Sequence, residues 1–138
     1  MVHALEEAWR VLAPSGVMID LRPLCLEAPL DIFFEEEKEF AGMVDMSPEI
    51  DAEIAADRAI EVALSEGFFK ELAVERFEIS YYWDTVKGMM AEMRNSWKDD
   101  VIIKESIIQR AYELFRKHRG YKKVRLQLQM KLAKHAKQ

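Results

Sequence analysis

Apolar positions at the start of the chain follow the period of an amphipathic helix and then change to the pattern of a strand. The helical face consists of Leu5, Ala8, Trp9 and Leu12. Pro14, Ser15 and Gly16 end it, because proline cannot continue a helix and glycine tolerates a tight turn. The apolar run from Val17 to Leu21 is typical of a strand buried on both faces in a parallel sheet. This stretch predicts half of an α/β unit, and a chain that begins in the middle of a fold.

The middle of the chain predicts a hairpin followed by a helix. Two apolar runs flank an acidic turn, which indicates a hairpin inserted around residues 30–46. Ser47 is a good N-cap, and Pro48 suits the first helical position. Gly67 ends the helix that these residues begin.

Alternation of apolar and polar residues marks two later strands, and in the first of them it lies from Phe77 to Asp84. Residues 68–83 form one, and residues 124–132 form the other, with two helices between them. We therefore expect an α/β fold of α+β-like type in a single domain, 1–138. Its small mixed sheet has about three main strands plus the hairpin, and its helices pack mainly on one face.

Composition excludes several classes of function. A formal net charge of −5 argues against general nucleic-acid binding, which needs a basic surface. No apolar run approaches the roughly 20 residues of a membrane helix, and the N-terminus does not resemble a signal peptide. Cys25 is the only cysteine, so the chain has no internal disulfide and no cysteine-based metal site. We expect a cytoplasmic protein that contacts neither nucleic acid nor membrane.

One stretch carries a family resemblance. The fifth helix and strand of class I S-adenosylmethionine-dependent methyltransferases typically read E-A-x-R-V-L-x-P-G-G before an apolar strand. The matching residues here are Glu7, Ala8, Arg10, Val11, Leu12, Pro14 and Gly16, and Ser15 replaces the first glycine of the pair. The chain thus resembles the C-terminal half of such an enzyme. The Arg22-Pro23 pair and the aromatic run at 81–84 also fit.

The resemblance implies a partial Rossmann-like fold. Residues 17–21 would be strand five, the strand ending at Trp83 strand six, and residues 124–132 strand seven. Strands five and six would be parallel, with strand seven antiparallel between them. The family binds S-adenosylmethionine through loops after strands one to four, which would lie upstream of this chain. The resemblance therefore implies a half-domain without its cofactor site.

We found no replacement chemistry in the sequence. The glycines are scattered and form no G-x-G-x-x-G motif. The histidines lack partner ligands at metal-binding spacing, and no serine lies in G-x-S-x-G. We expect no catalytic, cofactor-binding or metal-binding residue in the isolated chain.

One group of residues is a candidate substrate-facing rim. Ligands of open α/β sheets bind beyond the carboxyl ends of parallel strands. For strands five and six, those ends carry Asp20, Arg22, Tyr82, Trp83 and Asp84. The structural alternative is that Trp83 and its neighbour Tyr81 are core, that Asp84 caps the next helix with Thr85, and that Arg22 is an ordinary surface residue.

Without strands one to four, the strand from Val17 to Leu21 would keep an unpaired edge. Such an edge favours pairing with another chain. We expect a homodimer, or a protein partner, bound through this edge and the helix from Leu5 to Leu12.

Several functions stay open. The first is a methyltransferase-like C-terminal module without its own cofactor site, not catalytic in isolation. The alternatives are a non-catalytic dimerisation or interaction protein, an active methyltransferase completed by a separate N-terminal half, and a small-ligand binder at the aromatic rim.

Overall fold

The protein combines four α-helices with a five-stranded antiparallel sheet, seen in a computed structural model that describes residues 2–138. In chain order the elements are α1 (Val2–Val11), β1 (Val17–Pro23), β2 (Ala28–Phe34), β3 (Glu37–Val44), a 3₁₀ turn (Ser47–Glu49), α2 (Ile50–Ser65), β4 (Phe69–Trp83), α3 (Val86–Ser96), α4 (Glu105–Lys117) and β5 (Lys122–Lys137). The predicted α+β class is confirmed, as is the hairpin, which β2 and β3 form.

Strand β5 is the common partner of three other strands. Its C-terminal half pairs with β1, from Val17 opposite Ala136 to Pro23 opposite Met130. Its N-terminal half pairs with β2, from Leu30 opposite Leu126 to Phe34 opposite Lys122, and β2 also pairs with β3.

Strand β4 also pairs with β5, and its contacts give the direction. At one end the Gln138 N–H donates to the Phe68 carbonyl at 3.0 Å. Further along, the Glu78 carboxylate accepts from the Gln127 and Gln129 amides. Residue numbers rise on one strand as they fall on the other, so β4 and β5 are antiparallel. The last strand therefore pairs with both β1 and β4.

The chain divides into two compact units, and strands β4 and β5 contribute to both. Unit 1 comprises residues 1–24, 50–77 and 130–138. In it α1 packs against α2, and the Trp9 ring lies 5.6 Å from the Phe68 ring. The apolar face of α1 is therefore partly covered by other residues of the same chain.

Unit 2 comprises residues 25–49 and 78–129 and holds most of the hydrophobic core. Helices α3 and α4 pack on the hairpin and on the apolar side of β5. Its fully buried large side chains are Leu30, Ile32, Val44, Val86, Met89, Leu114, Val124 and Leu126.

The structure corrects the prediction that β1 is buried on both faces. Val17, Ile19 and Leu21 are 39%, 56% and 54% exposed, whereas Met18, Asp20 and Arg22 are half-buried. A short apolar run does not reveal whether one or both of its faces are covered, and here only the polar side is.

The inward side of β5 also differs from the prediction at its C-terminal end. Val124, Leu126 and Leu128 are buried as expected, but beyond Met130 the buried residues are Ala133 and His135. These two side chains share the face of Arg22 and Lys131, which bond to α2. At this end of β5, the face that packs toward α2 is buried, although the alternation of apolar and polar residues predicts burial of the opposite face.

Candidate functional site

The polar side of β1 in unit 1 carries a network of four charged side chains. Arg22 donates to both carboxylate oxygens of Asp20, at 2.8 to 3.0 Å. Its Nη2 also reaches Asp57 of α2 at 2.7 Å, and Lys131 of β5 donates to the same Asp57 oxygen at 2.9 Å. Two carboxylates thus meet two cations.

Electrostatics inside this network favour the charged forms of Arg22 and Asp57. Burial lowers the pKa of Arg22, but the hydrogen bonds from its guanidinium to Asp20 and Asp57 raise that pKa above its ordinary value overall. The hydrogen bond from Lys131 and then that from Arg22 lower the pKa of Asp57, against the effect of burial. Through Asp57, the network joins β1 and β5 to α2.

The opposite face of β1 is apolar and exposed. Val17, Ile19 and Leu21 lie directly opposite Ala136, Lys134 and Leu132 of β5. Paired residues of an antiparallel ladder point to the same face. We call these six residues the apolar face; it contains a single charge, that of Lys134.

The outer edge of β1 is also open. Among the described residues 2–138, β1 pairs with β5 alone. The Lys137 N–H donates to the Gly16 carbonyl at 2.8 Å, so Gly16 and every second residue after it bond to β5. The N–H and C=O groups of Val17, Ile19 and Leu21 therefore point away from β5. We call these groups the open edge.

The predicted rim residues divide between the two units. Asp20 and Arg22 are brought together in unit 1, in the charged network. Tyr82, Trp83 and Asp84 belong to unit 2. The substrate-facing role of the rim stays a prediction.

Within unit 2, Trp83 is a core residue, as the structural alternative expected. Its Nε1 donates to Glu92 at 2.7 Å, and its ring contacts those of Tyr81 and Trp97. Tyr81 itself stays half exposed and packs edge-on against Trp97, with ring centroids 5.0 Å apart.

The two residues beside Trp83 are more exposed. Tyr82 is half exposed and lies 5.9 Å, edge to face, from Phe33. Asp84 pairs with Lys123, whereas Thr85 caps α3 by accepting from the Gly88 N–H at 2.9 Å.

Sequence reasoning missed a carboxylate–histidine pair in unit 2. Glu39 of β3 lies 2.6 Å from Nε2 of His118, just after α4, and accepts from Lys117 at 2.9 Å. The bonds from Lys117 and then His118 lower the pKa of Glu39. Phe34 stacks on the imidazole with ring centroids 3.6 Å apart. No sequence signal joins Glu39 to His118, which follows 79 residues later.

Within residues 2–138 no cluster of three or more His, Cys, Asp or Glu side chains suits a metal ion. The Glu39–His118 pair fastens the hairpin to the end of α4, as the charged network fastens β1 to α2.

No protein-family model and no curated protein matches this chain. No described helix is both long enough and apolar enough to span a membrane.

Proposed function

We propose that this chain is a methyltransferase-like association module, which acts by binding a second copy of itself or another protein through β1. The observation that carries this proposal is the open edge beside the apolar face. An edge strand that leaves backbone groups and apolar side chains exposed is a template for pairing with another chain. Natural edge strands are commonly protected by charges, proline or a bulge, and from 17 to 21 only Asp20 is charged.

The methyltransferase-like part of the proposal is supported by strand order. The last strand, β5, runs antiparallel to β1 and pairs with β4 as well, which is the arrangement that the resemblance implies for strand seven. Because no glycine-rich phosphate loop occurs in the sequence, we propose that the isolated chain binds no S-adenosylmethionine. A cytoplasmic location is part of the proposal, and the single cysteine supports it.

Light scattering of the purified chain at micromolar concentration tests the association. We expect the mass of a dimer, which dissociates on dilution. A clean monomer at all concentrations would contradict self-association and leave a different protein as the only partner.

The same strand order favours a second candidate, an active methyltransferase completed by a separate chain that carries the cofactor half. Titration calorimetry with S-adenosylmethionine and with its demethylated product separates the two. The association module binds neither ligand, alone or with its partner, whereas the completed enzyme binds both once the partner is added. Tight binding by the isolated chain would contradict both candidates.

A further inference from the structure

We propose that the open edge of β1 pairs with β1 of a second copy. The two strands run antiparallel, and the two-fold axis that relates them passes between the two Ile19 residues. This inference rests on the proposed self-association and names its partner and its register. Three observations carry it: the direction of the free backbone groups, the positions of the charges, and the spacing of the apolar side chains.

Backbone groups at the open edge fit this register. In an antiparallel pair, two opposite residues whose N–H and C=O groups point toward each other exchange two hydrogen bonds. A two-fold axis at Ile19 places Ile19 opposite Ile19 of the second copy, and Val17 opposite Leu21 of the second copy. All free N–H and C=O groups from 17 to 21 are then used, in three pairs that exchange about six hydrogen bonds.

Neighbouring registers fit less well. An axis at Asp20 places the two Asp20 side chains directly opposite each other, and like charges in that position are destabilising. An axis at Leu21 places Pro23 opposite Ile19, where proline has no N–H to donate, and leaves Val17 unpaired. An axis at Met18 would bring Leu21 opposite Ser15, whose positive φ of 63° marks the turn rather than the strand.

The side chains of β1 are complementary to those of a second, antiparallel copy of β1. On the apolar face, the Ile19-centred register sets Val17 against Leu21 and Ile19 against Ile19, with no charge among them. On the other face, Asp20 lies opposite Met18 of the second copy, so the like charges of Asp20 are kept apart. The charged network within each copy is undisturbed. A second copy is therefore a better partner than an arbitrary strand. Its own β1 pairs the free backbone groups, supplies apolar contacts on one face and keeps the Asp20 charges apart.

The register can be tested with two matched double variants, because position 17 faces position 21 of the other copy. In Val17→Lys/Leu21→Glu, each lysine faces a glutamate across the interface. In Val17→Lys/Leu21→Lys, the same positions bring like charges together. Both variants carry two charges at half-exposed or exposed sites, and neither residue lies opposite a charge on β5.

Sedimentation of both variants measures the effect. We expect the lysine–glutamate variant to remain a dimer, with a dissociation constant at least about tenfold lower than that of the lysine–lysine variant. Equal dissociation of the two variants, with wild type still dimeric, would overturn the register while leaving self-association standing. A monomeric wild type would overturn both the register and self-association, and would leave another protein as the partner of β1.

A cross-link supplies a second readout that does not depend on added charge. Residues opposite each other in a hydrogen-bonded pair have Cα atoms about 5.5 Å apart, within the range of a disulfide. In a Cys25→Ala background, we expect Ile19→Cys to oxidise to a covalent dimer. Ile54→Cys, at a site of α2 that is 43% exposed, is the control and should run as a monomer on a non-reducing denaturing gel. Absence of the Ile19 cross-link would contradict the two-fold axis at Ile19.

Discussion

At the residue scale, most buried polar groups of residues 2–138 are matched within the fold, and the exceptions are Nε of Arg125 and both ring nitrogens of His135. Asp31 pairs with Arg125 directly across β2 and β5, and Asp57 holds two cations. His135 is 1% exposed, and neither of its ring nitrogens has a hydrogen-bond partner among the described residues. A buried polar atom without a partner costs stability, so this position invites a test.

We predict that His135→Leu leaves the free energy of unfolding unchanged or raises it by up to about 2 kcal/mol, because the unpaired nitrogens are removed. His135→Ala should instead lose roughly 2 kcal/mol or more, because it leaves a cavity. Denaturant unfolding compares the two variants. A loss of more than about 2 kcal/mol in His135→Leu would mean that the imidazole bonds to a group such as a buried water.

A second residue-scale prediction concerns Asp57. Its folded-state pKa lies below the ordinary value of 3.8, chiefly because Lys131 donates to it. The unfolded chain therefore binds a proton more readily, and the stability that the lowered pKa provides is present above pH 3.8 and lost as pH falls through the folded pKa.

We expect Asp57→Asn to lose less than about 1 kcal/mol at neutral pH, because the side chain is 41% exposed and screened by solvent. The difference from wild type should vanish as pH falls below the ordinary aspartate range. Glu61→Gln, an exposed change on the same helix, serves as control. A difference that is constant from pH 6 to pH 3 would show that the charge of Asp57 is not its cause.

At the element scale, α4 approaches β3 at a glycine. Gly42 lies at an irregularity in the hairpin, where the register with β2 shifts between Leu30 and Asp31. A Cβ added to Gly42 would come within 2.7 to 2.9 Å of three side-chain carbons of Ile107. The absence of a side chain thus sets how closely the helix packs on the strand.

Gly42→Ala should therefore destabilise the protein by roughly 1–3 kcal/mol through overpacking. Ile107→Ala removes the atoms that would clash, so the double variant should cost clearly less than the sum of the single variants. A double-mutant cycle by thermal unfolding measures this coupling. Strict additivity would contradict a direct contact between the two positions.

At the scale of the whole molecule, sequence patterns predicted the positions of the helices and strands better than the burial of their faces or the contacts between them. The alternations of β4 and β5 and the end signals of α2 placed both ends of β4 and α2 and the start of β5 to within three residues, because period and end signals are local. Strand β5 continues to Lys137, five residues beyond its predicted end. The exposure of Ile19 was not predictable, since the same apolar run suits a central or an edge strand. The Glu39–His118 pair depends on how β3 and α4 meet, which no local pattern encodes.

The proposed self-association requires that the open edge be filled in solution. Amide hydrogen exchange of the wild-type chain tests this most directly, because alternate residues of β1 donate in opposite directions. At micromolar concentration, the Val17, Ile19 and Leu21 amides should be protected, like those of Met18, Asp20 and Arg22, which donate to β5, and should lose protection on dilution. Rapid exchange of the first three amides at every concentration, with the second three protected, would contradict pairing at this edge.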